Sequence, residues 1–403
     1  MSNPYSEIFR APGTKGFAAA GFLARLPLAM TTMGIVAMLS QTHGEYWLAG
    51  AVSATFALTN AALAPQISRL IDRKGQSRVL VPVTIVTVIA FITLLVATRY
   101  DWPVWTLFVS ALFAGALPSM PAMVRARWSE IYRDTPQLGT AFAFESVADE
   151  MVYITGSIFS VGLSVTLFPE AGVLLSTICL AIGMVLFVAQ KSTEPKVRPV
   201  ERHQGGSAFA LRPVQLITVT LIAVGTIFGT AEVTVIALTR ELGAPAAASL
   251  VLGGYAAGSL VIGLIFGAMK PKMPLARQFL IAIGVAALTT LPLLMANTVP
   301  VLALLLLVSG MAISPTFITA FGLIERLVPP AKLTEGITWA MTGIAIGMAV
   351  GSFSSGWVID QFGASNGFWV SVVAGAIALL CALAGQRSLA APAPRATRQA
   401  AVA

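Results

Sequence analysis

Long apolar runs separated by short polar segments divide this chain, and nearly all of them are of one length class. Residues 16–41, 46–67, 79–98, 103–124, 139–167 and 172–190 form six runs, and residues 214–239, 245–269, 278–296, 300–324, 334–358 and 367–386 form six more. A helix needs about 20 apolar residues to cross a hydrocarbon core about 30 Å thick. The pattern therefore predicts an all-α integral membrane protein with twelve transmembrane helices. Between the sixth and seventh runs, residues 191–213 hold Lys191, Lys196, Arg198, Arg202 and Arg212 with Gly205, Gly206 and three prolines, and no sustained apolar period. That composition predicts a polar linker. The expected organisation is an N-terminal six-helix bundle over 1–190, a linker over 191–213 and a C-terminal six-helix bundle over 214–390. A tail over 391–403, rich in Ala, Pro and Arg, is expected to be disordered.

Composition agrees with the pattern and narrows the function. The 403 residues are 57% hydrophobic and 10% charged, with a mean hydropathy of +0.84. Twelve spans with short loops consume about 300 of them, which leaves little for any soluble domain. The net charge of +8 does not point to nucleic acid, because the basic residues lie between apolar runs, where they set orientation. Counted by loop, 22 of the 25 Lys and Arg fall on one side, the exceptions being Arg25, Arg99 and Arg240. Both termini are thus expected to be cytoplasmic, in a multi-pass protein of the inner cell membrane. The first apolar run is too long for a signal-peptide core and is expected to be retained. Cys179, Cys381, His43 and His203 are isolated, so no disulfide framework, metal site or cofactor is expected. No phosphate-binding loop and no nucleophile–base constellation is visible, which argues against ATP-driven transport and against an enzyme.

One short loop carries more information than the rest. Ser68 to Arg78 reads Ser-Arg-Leu-Ile-Asp-Arg-Lys-Gly-Gln-Ser-Arg between the second and third runs, with Asp72 among Arg69, Arg73, Lys74 and Arg78, and Gly75 for the turn. Acid-Arg-x-Gly with a following basic residue resembles the signature loop of the major facilitator superfamily of secondary transporters. Ser68 stands where that signature opens on glycine. The halves also repeat: a shift of about 195 residues sets Gly156-Ser157 against Gly351-Ser352, Pro121 near Pro315 and Phe56-Ala57 near Tyr255-Ala256. The copied loop, Lys270 to Arg277, keeps its basic residues and lacks the acid. The resemblance implies two six-helix bundles related by a pseudo-twofold axis. It also implies a cytoplasmic latch of Asp72, Arg73, Gly75 and Arg78, in which Asp72 accepts from helix N-terminal amides of the opposite half and Arg73 and Arg78 hold neighbouring acids.

Charges inside the spans are the candidates for chemistry, because a charge at membrane depth costs at least a few kcal/mol. Arg25 lies about nine residues into the first run, roughly 14 Å at 1.5 Å per residue, near the midplane. Asp149 reaches a similar depth in the fifth run, with Glu145 at i, i+4 on one helix face and Glu150 turned about 100° away. Two stacked carboxylates in low dielectric cannot both ionise cheaply, so one is expected to exchange a proton. An alternative is a structural ion pair between Arg25 and an acid of the fifth run. Glu232, past the middle of the seventh run, is the remaining acid. The resemblance implies that spans one, four, seven and ten line the cavity, where Met30, Met33, Phe113, Phe228, Met311 and Phe317 would make an adaptable apolar surface.

Two departures from the family's exporters stand out. An arginine that many of them carry inside the fourth span is absent from residues 103–124, which leaves Arg25 as its substitute, and Thr155-Gly156-Ser157 lacks the proline of their fifth-span signature. The expected function is a proton-coupled exporter, an antiporter of small amphipathic compounds working by alternating access. The runner-up is an importer or facilitator of a small metabolite, and a membrane-embedded enzyme is a remote alternative. The expected partners are a small-molecule substrate, protons and the lipid bilayer, with the chain as a monomer.

Overall fold

The computed structural model of the chain describes residues 4–43, 46–197, 206–244, 247–269 and 273–390. The expected tail, the middle of the expected linker and the first three residues of the copied loop lie outside them. A short helix α1 (Pro4–Ile8) precedes α2 (Thr14–Thr42), α3 (Tyr46–Lys74), α4 (Gln76–Arg99), α5 (Trp105–Ala114), α6 (Met120–Tyr132), α7 (Gln137–Thr166) and α8 (Ala171–Ala189). The second half runs α9 (Arg212–Glu241), α10 (Ala247–Ala268), α11 (Leu275–Thr290), α12 (Val299–Gly310), α13 (Ile313–Leu327), α14 (Leu333–Phe362) and α15 (Phe368–Leu389). Taking α5 with α6 and α12 with α13, these make twelve spans. Among the described residues ten segments are long and apolar enough to cross a membrane. The two outside that count are the fourth span, broken between α5 and α6, and the fifth, α7, which carries the three acids.

The repeat seen in the sequence governs the helices closely. Adding 195 to the bounds of α6 gives 315–327 against Ile313–Leu327 for α13, and adding it to α7 gives 332–361 against Leu333–Phe362 for α14. Even the breaks correspond, since Gly115–Ser119 shifts to 310–314, around the gap between α12 and α13. In the fourth span Pro118 lies in the break, where a proline cannot continue the hydrogen-bond ladder. Two carbonyls that the break leaves outside the ladder are satisfied from α3, where Asn60 donates through Nδ2 to Gly115 O at 3.1 Å and to Leu117 O at 2.8 Å.

The chain forms two compact units, 4–138 with 148–197, and 139–147 with 206–390. The start of α7 is drawn into the second by Thr140, whose hydroxyl donates to the Gly267 carbonyl of α10 at 2.8 Å. In the first unit α2 packs on α8, with Gly183 set against the Ala24 backbone. Gly156 of α7 likewise meets Ala29 and Met30 of α2. In the second unit the same close approach joins α9 to α14: Gly225 faces the Ile344 carbonyl, Gly229 the Met348 carbonyl, and Gly347 and Gly351 the carbonyls of Ile222 and Thr226. Without a hydrophobic drive between helices in lipid, small residues that let backbones touch are what hold such pairs.

One boundary differs from the expectation with consequences. The fourth span does not stop at residue 124: α6 continues to Tyr132, and Arg125 and Arg127, expected in a basic cytoplasmic loop, are both 0% exposed. The helix continues because apolar Ala126 and Trp128 alternate with the two arginines and are buried with them. Trp128 is buried among Phe9, Phe17 and Tyr132 with ring centroids 4.7–6.0 Å away. Tyr132 donates to Ile8 O at 2.9 Å, which docks α1 onto the end of α6. Of the three basic residues assigned to that loop, only Arg133 lies beyond the helix.

Candidate functional site

Three charged side chains of the first unit converge. Arg25 of α2 places Nη1 2.7 Å from Asp149 Oδ1, and Arg125 of α6 places Nη2 2.7 Å from Asp149 Oδ2. The carboxylate of α7 is thus shared by two guanidiniums, one oxygen to each, through charge-assisted hydrogen bonds. Each arginine also turns back on its own helix, Arg25 Nε to Gly21 O at 3.3 Å and Arg125 Nη1 to Pro121 O at 3.4 Å. Both arginine side chains are all but closed to solvent, at 1% and 0%, whereas Asp149 is 18% exposed. The acid is therefore the most accessible member of the triad. Glu145, one turn earlier on α7, is 1% exposed and engaged, as is the half-buried Glu150.

The expectation that the fourth span lacks an arginine is corrected by this geometry, and with it the role of Arg25 as a substitute. Arg125 occupies the fourth span itself, and Arg25 adds to it. The proline and glycine of the break place it, because α6 starts afresh at Met120 and brings residue 125 round to face α7.

Arg127, two residues on, finds its hydrogen-bond partners in amide, hydroxyl and backbone oxygens. Its Nε donates to Gln76 Oε1 at 2.9 Å, its Nη1 to Gln190 O at 2.9 Å and Thr193 Oγ1 at 2.7 Å, and its Nη2 to Phe187 O at 3.1 Å. The guanidinium lies 3.8 Å from the Phe187 ring centroid, a cation–π contact. It ties α6 to the start of α4 and to the end of α8. The same corner holds the signature loop. Gly75 takes φ +93°, a left-handed conformation open to glycine. Glu194 caps the start of α4, accepting from Ser77 N at 2.8 Å and from Ser77 Oγ at 2.5 Å. Asp72 is half-buried and partnered. Arg73 and Arg78 are exposed, and no acid among the described residues meets either, contrary to the expectation that they hold acids. The acid that does serve the loop, Glu194, was hidden in sequence by its place in the linker.

In the second unit Glu232 lies 20 residues into α9, roughly 30 Å from its start at 1.5 Å per residue. It is exposed, and among the described residues no hydrogen bond or ion pair reaches its carboxylate. Phe228, one turn before it, sits 5.8 Å from both Tyr255 and Phe317 by ring centroid. Met311 is half-buried in the gap between α12 and α13. In the first unit Met33 and Phe113 are about half exposed, at 50% and 53%, whereas Met30 is 1% exposed and its carbonyl accepts from Ser160 Oγ at 2.7 Å. Met30 is therefore packing between α2 and α7 here and not a lining side chain. No group of three or more metal-ligating side chains occurs among the described residues.

The sequence profile of the Major Facilitator Superfamily matches residues 17–238 and, a second time, residues 216–402. No curated protein matches the chain. Among solved structures, it is similar to a bacterial homologue of the iron transporter ferroportin in an outward-facing state, with a TM-score of 0.73 and 15% identity over 94% of this chain and 100% of that one. The human organic anion transporter MFSD10 (TETRAN) superposes with a TM-score of 0.68 at 13% identity, over 93% of this chain and 99% of that one. The E. coli fucose:proton symporter FucP superposes with a TM-score of 0.68 at 14% identity, over 91% and 97%. At such identities the likeness shows the fold.

Proposed function

The chain belongs to the major facilitator superfamily, and from that premise we propose that it is a proton-coupled exporter of small amphipathic compounds, working by alternating access. The observation that carries this reading is Glu232, an exposed carboxylate inside a membrane span with no partner among the described residues. An acid facing hydrocarbon would cost several kcal/mol, so Glu232 is read as facing water or substrate. A carboxyl in that position takes either a proton or the positive end of an amphipathic substrate, and that competition couples the two in opposite directions. The neighbouring Phe228, Phe317 and Tyr255 supply apolar surface for the rest of such a compound. Asp149, between two arginines, is the second candidate for the proton. Asp72, Arg73, Gly75 and Arg78 keep the part of a cytoplasmic latch.

A second reading has its own support. Two buried arginines gathered on Asp149 would also suit an anion, and MFSD10, which shares the fold, is an organic anion transporter. Protonating Asp149 would weaken its hold on both guanidiniums and let a carboxylate substrate compete for them, and proton and anion would then travel together.

Proteoliposomes decide between them. Acid on the outer side should drive an amphipathic cation outward without chemical change, and Glu232→Gln should abolish that drive while substrate exchange between equilibrated compartments survives. Acid-driven uptake of an organic anion, lost in Asp149→Asn and retained in Glu232→Gln, would replace the first reading with the second.

A further inference from the structure

At the end of the first unit opposite Gly75, a cavity of about 450 Å³ opens between the close of α4 and the start of α8. Leu95, Val96, Phe168 and Leu174 give it apolar walls. Arg99 and Tyr100 reach it from the end of α4, and Glu170 from the residue before α8. Glu170 is 7% exposed, and among the described residues nothing hydrogen-bonds its Oε2. It stands at the N-cap position of α8 without capping it. A buried acceptor left unmade is costly and calls for a partner. Arg99 likewise has no ion-pair partner among the described residues.

The surroundings fix the depth of this site. Tyr100, Trp102, Trp105 and Phe168 are 71%, 43%, 65% and 43% exposed around this end of the bundle. Exposed aromatic rings at the ends of membrane helices lie at the headgroup level. By the count of basic loops this is the outer face. An anionic acceptor, a cationic donor and apolar walls at headgroup depth fit a zwitterion with hydrocarbon chains.

We infer that this cavity holds the headgroup of a phospholipid bearing a primary ammonium, the ethanolamine class. The ammonium donates to Glu170, the phosphodiester accepts from Arg99, and the chains run along Leu95, Val96 and Leu174. A choline headgroup has the positive charge but no N–H to give the carboxylate, and a glycerol headgroup has no cation. A free amphipathic amine satisfies Glu170 and leaves Arg99 unmatched.

The test is a lipid titration of the delipidated full-length protein in detergent, read as bound fraction by native mass spectrometry. Phosphatidylethanolamine should bind on the order of tenfold more tightly than phosphatidylcholine, as a charge-assisted hydrogen bond requires. Glu170→Gln should bring the two to the same level, Arg99→Gln should weaken both, and Val96→Trp, which fills the cavity and leaves both charges in place, should remove the tight binding. Gel filtration reports whether each variant is folded, and either Glu170→Gln or Val96→Trp alone decides the question. An ethanolamine preference that survives in the folded variants overturns the site, as does a preference for phosphatidylglycerol. Dodecylamine binding as tightly as phosphatidylethanolamine, through Glu170 and with no dependence on Arg99, overturns the lipid in favour of a free amine.

Discussion

Neutralising Asp149 should be among the most damaging single changes in the first unit, and by an amount the geometry sets. In Asp149→Asn two guanidiniums, on residues 2% and 0% exposed, each lose a carboxylate partner held at 2.7 Å. An amide can still accept from one arginine, but its NH2 then confronts the other. Removing one partner of a buried pair costs about 3–5 kcal/mol, and the 18% exposure of the acid leaves little of that to solvent screening. Arg25→Leu or Arg125→Leu alone should cost less, about 1–3 kcal/mol, because the acid keeps its other partner. The decisive variant is the one lacking both arginines. There Asp149→Asn should be neutral or stabilising, since the acid has become the uncompensated charge.

Unfolding free energies in mixed micelles, followed by tryptophan fluorescence, measure each corner of this cycle. Asp149→Asn within about 0.5 kcal/mol of wild type, the range of an ordinary surface change, would refute the reasoning. So would costs that simply add across the three positions. The cycle also separates stability from transport: a folded triple variant, neutral at all three positions, that still moves substrate up its gradient would leave the triad a structural clamp.

Arg127→Lys keeps the charge and loses the planar fork that meets Gln76, Gln190, Thr193 and Phe187 at once; it should cost at least about 2 kcal/mol, read in the same micelle assay, despite being formally conservative. Gly229→Ala drives a methyl into the Met348 carbonyl and should cost about 1–3 kcal/mol. Gly254→Ala on α10, where nothing lies within 4 Å, should gain up to about 1 kcal/mol from helix propensity. Equal effects of the two glycine changes would mean that helix propensity, and not the contact between α9 and α14, sets their cost.

The helices were legible because a membrane span is read from length and hydropathy, and these hardly depend on tertiary context. The internal shift of 195 was legible too, but the breaks in the fourth and tenth spans, which obey it, show only in the helices themselves. Arg25 was legible as a member of an ion pair, since a lone guanidinium at that depth is too costly to keep. Arg125 and Arg127 were not, because hydropathy falls wherever an arginine appears, and a rule that ends a span at the first one cuts off a helix that continues behind buried charge. The signal was in Ala126 and Trp128, apolar residues that carry the buried run of Ala122, Met123 and Val124 past both arginines. Glu170 and Glu194 escaped for a different reason: each is a single acid next to a polar loop, and only the fold shows what it faces.

The repeat also says which charges the fold itself requires. Shifted by 195, Arg25 falls on Thr220, Arg125 on Ala320, Glu145 on Ala340 and Asp149 on Ile344, while Glu232 shifts back onto Ala37. The second unit thus builds the same arrangement of helices with no ion at the places where the first unit has its triad. It holds α9 to α14 there by glycines against carbonyls. Since an uncharged version of the same packing exists in the same chain, the triad is not what makes six helices cohere, and each half bears its charge at a place where its copy does without. A buried pair is weak evidence for stability in any case, because desolvation offsets most of its attraction. The asymmetry therefore weighs toward Arg25, Arg125, Asp149 and Glu232 being kept for what they bind. It also says where to look: substituting the neutral residues of the copy, as Arg25→Thr, Arg125→Ala and Asp149→Ile together, should leave a folded protein that has lost gradient-driven transport. Loss of folding in that variant would return the triad to architecture.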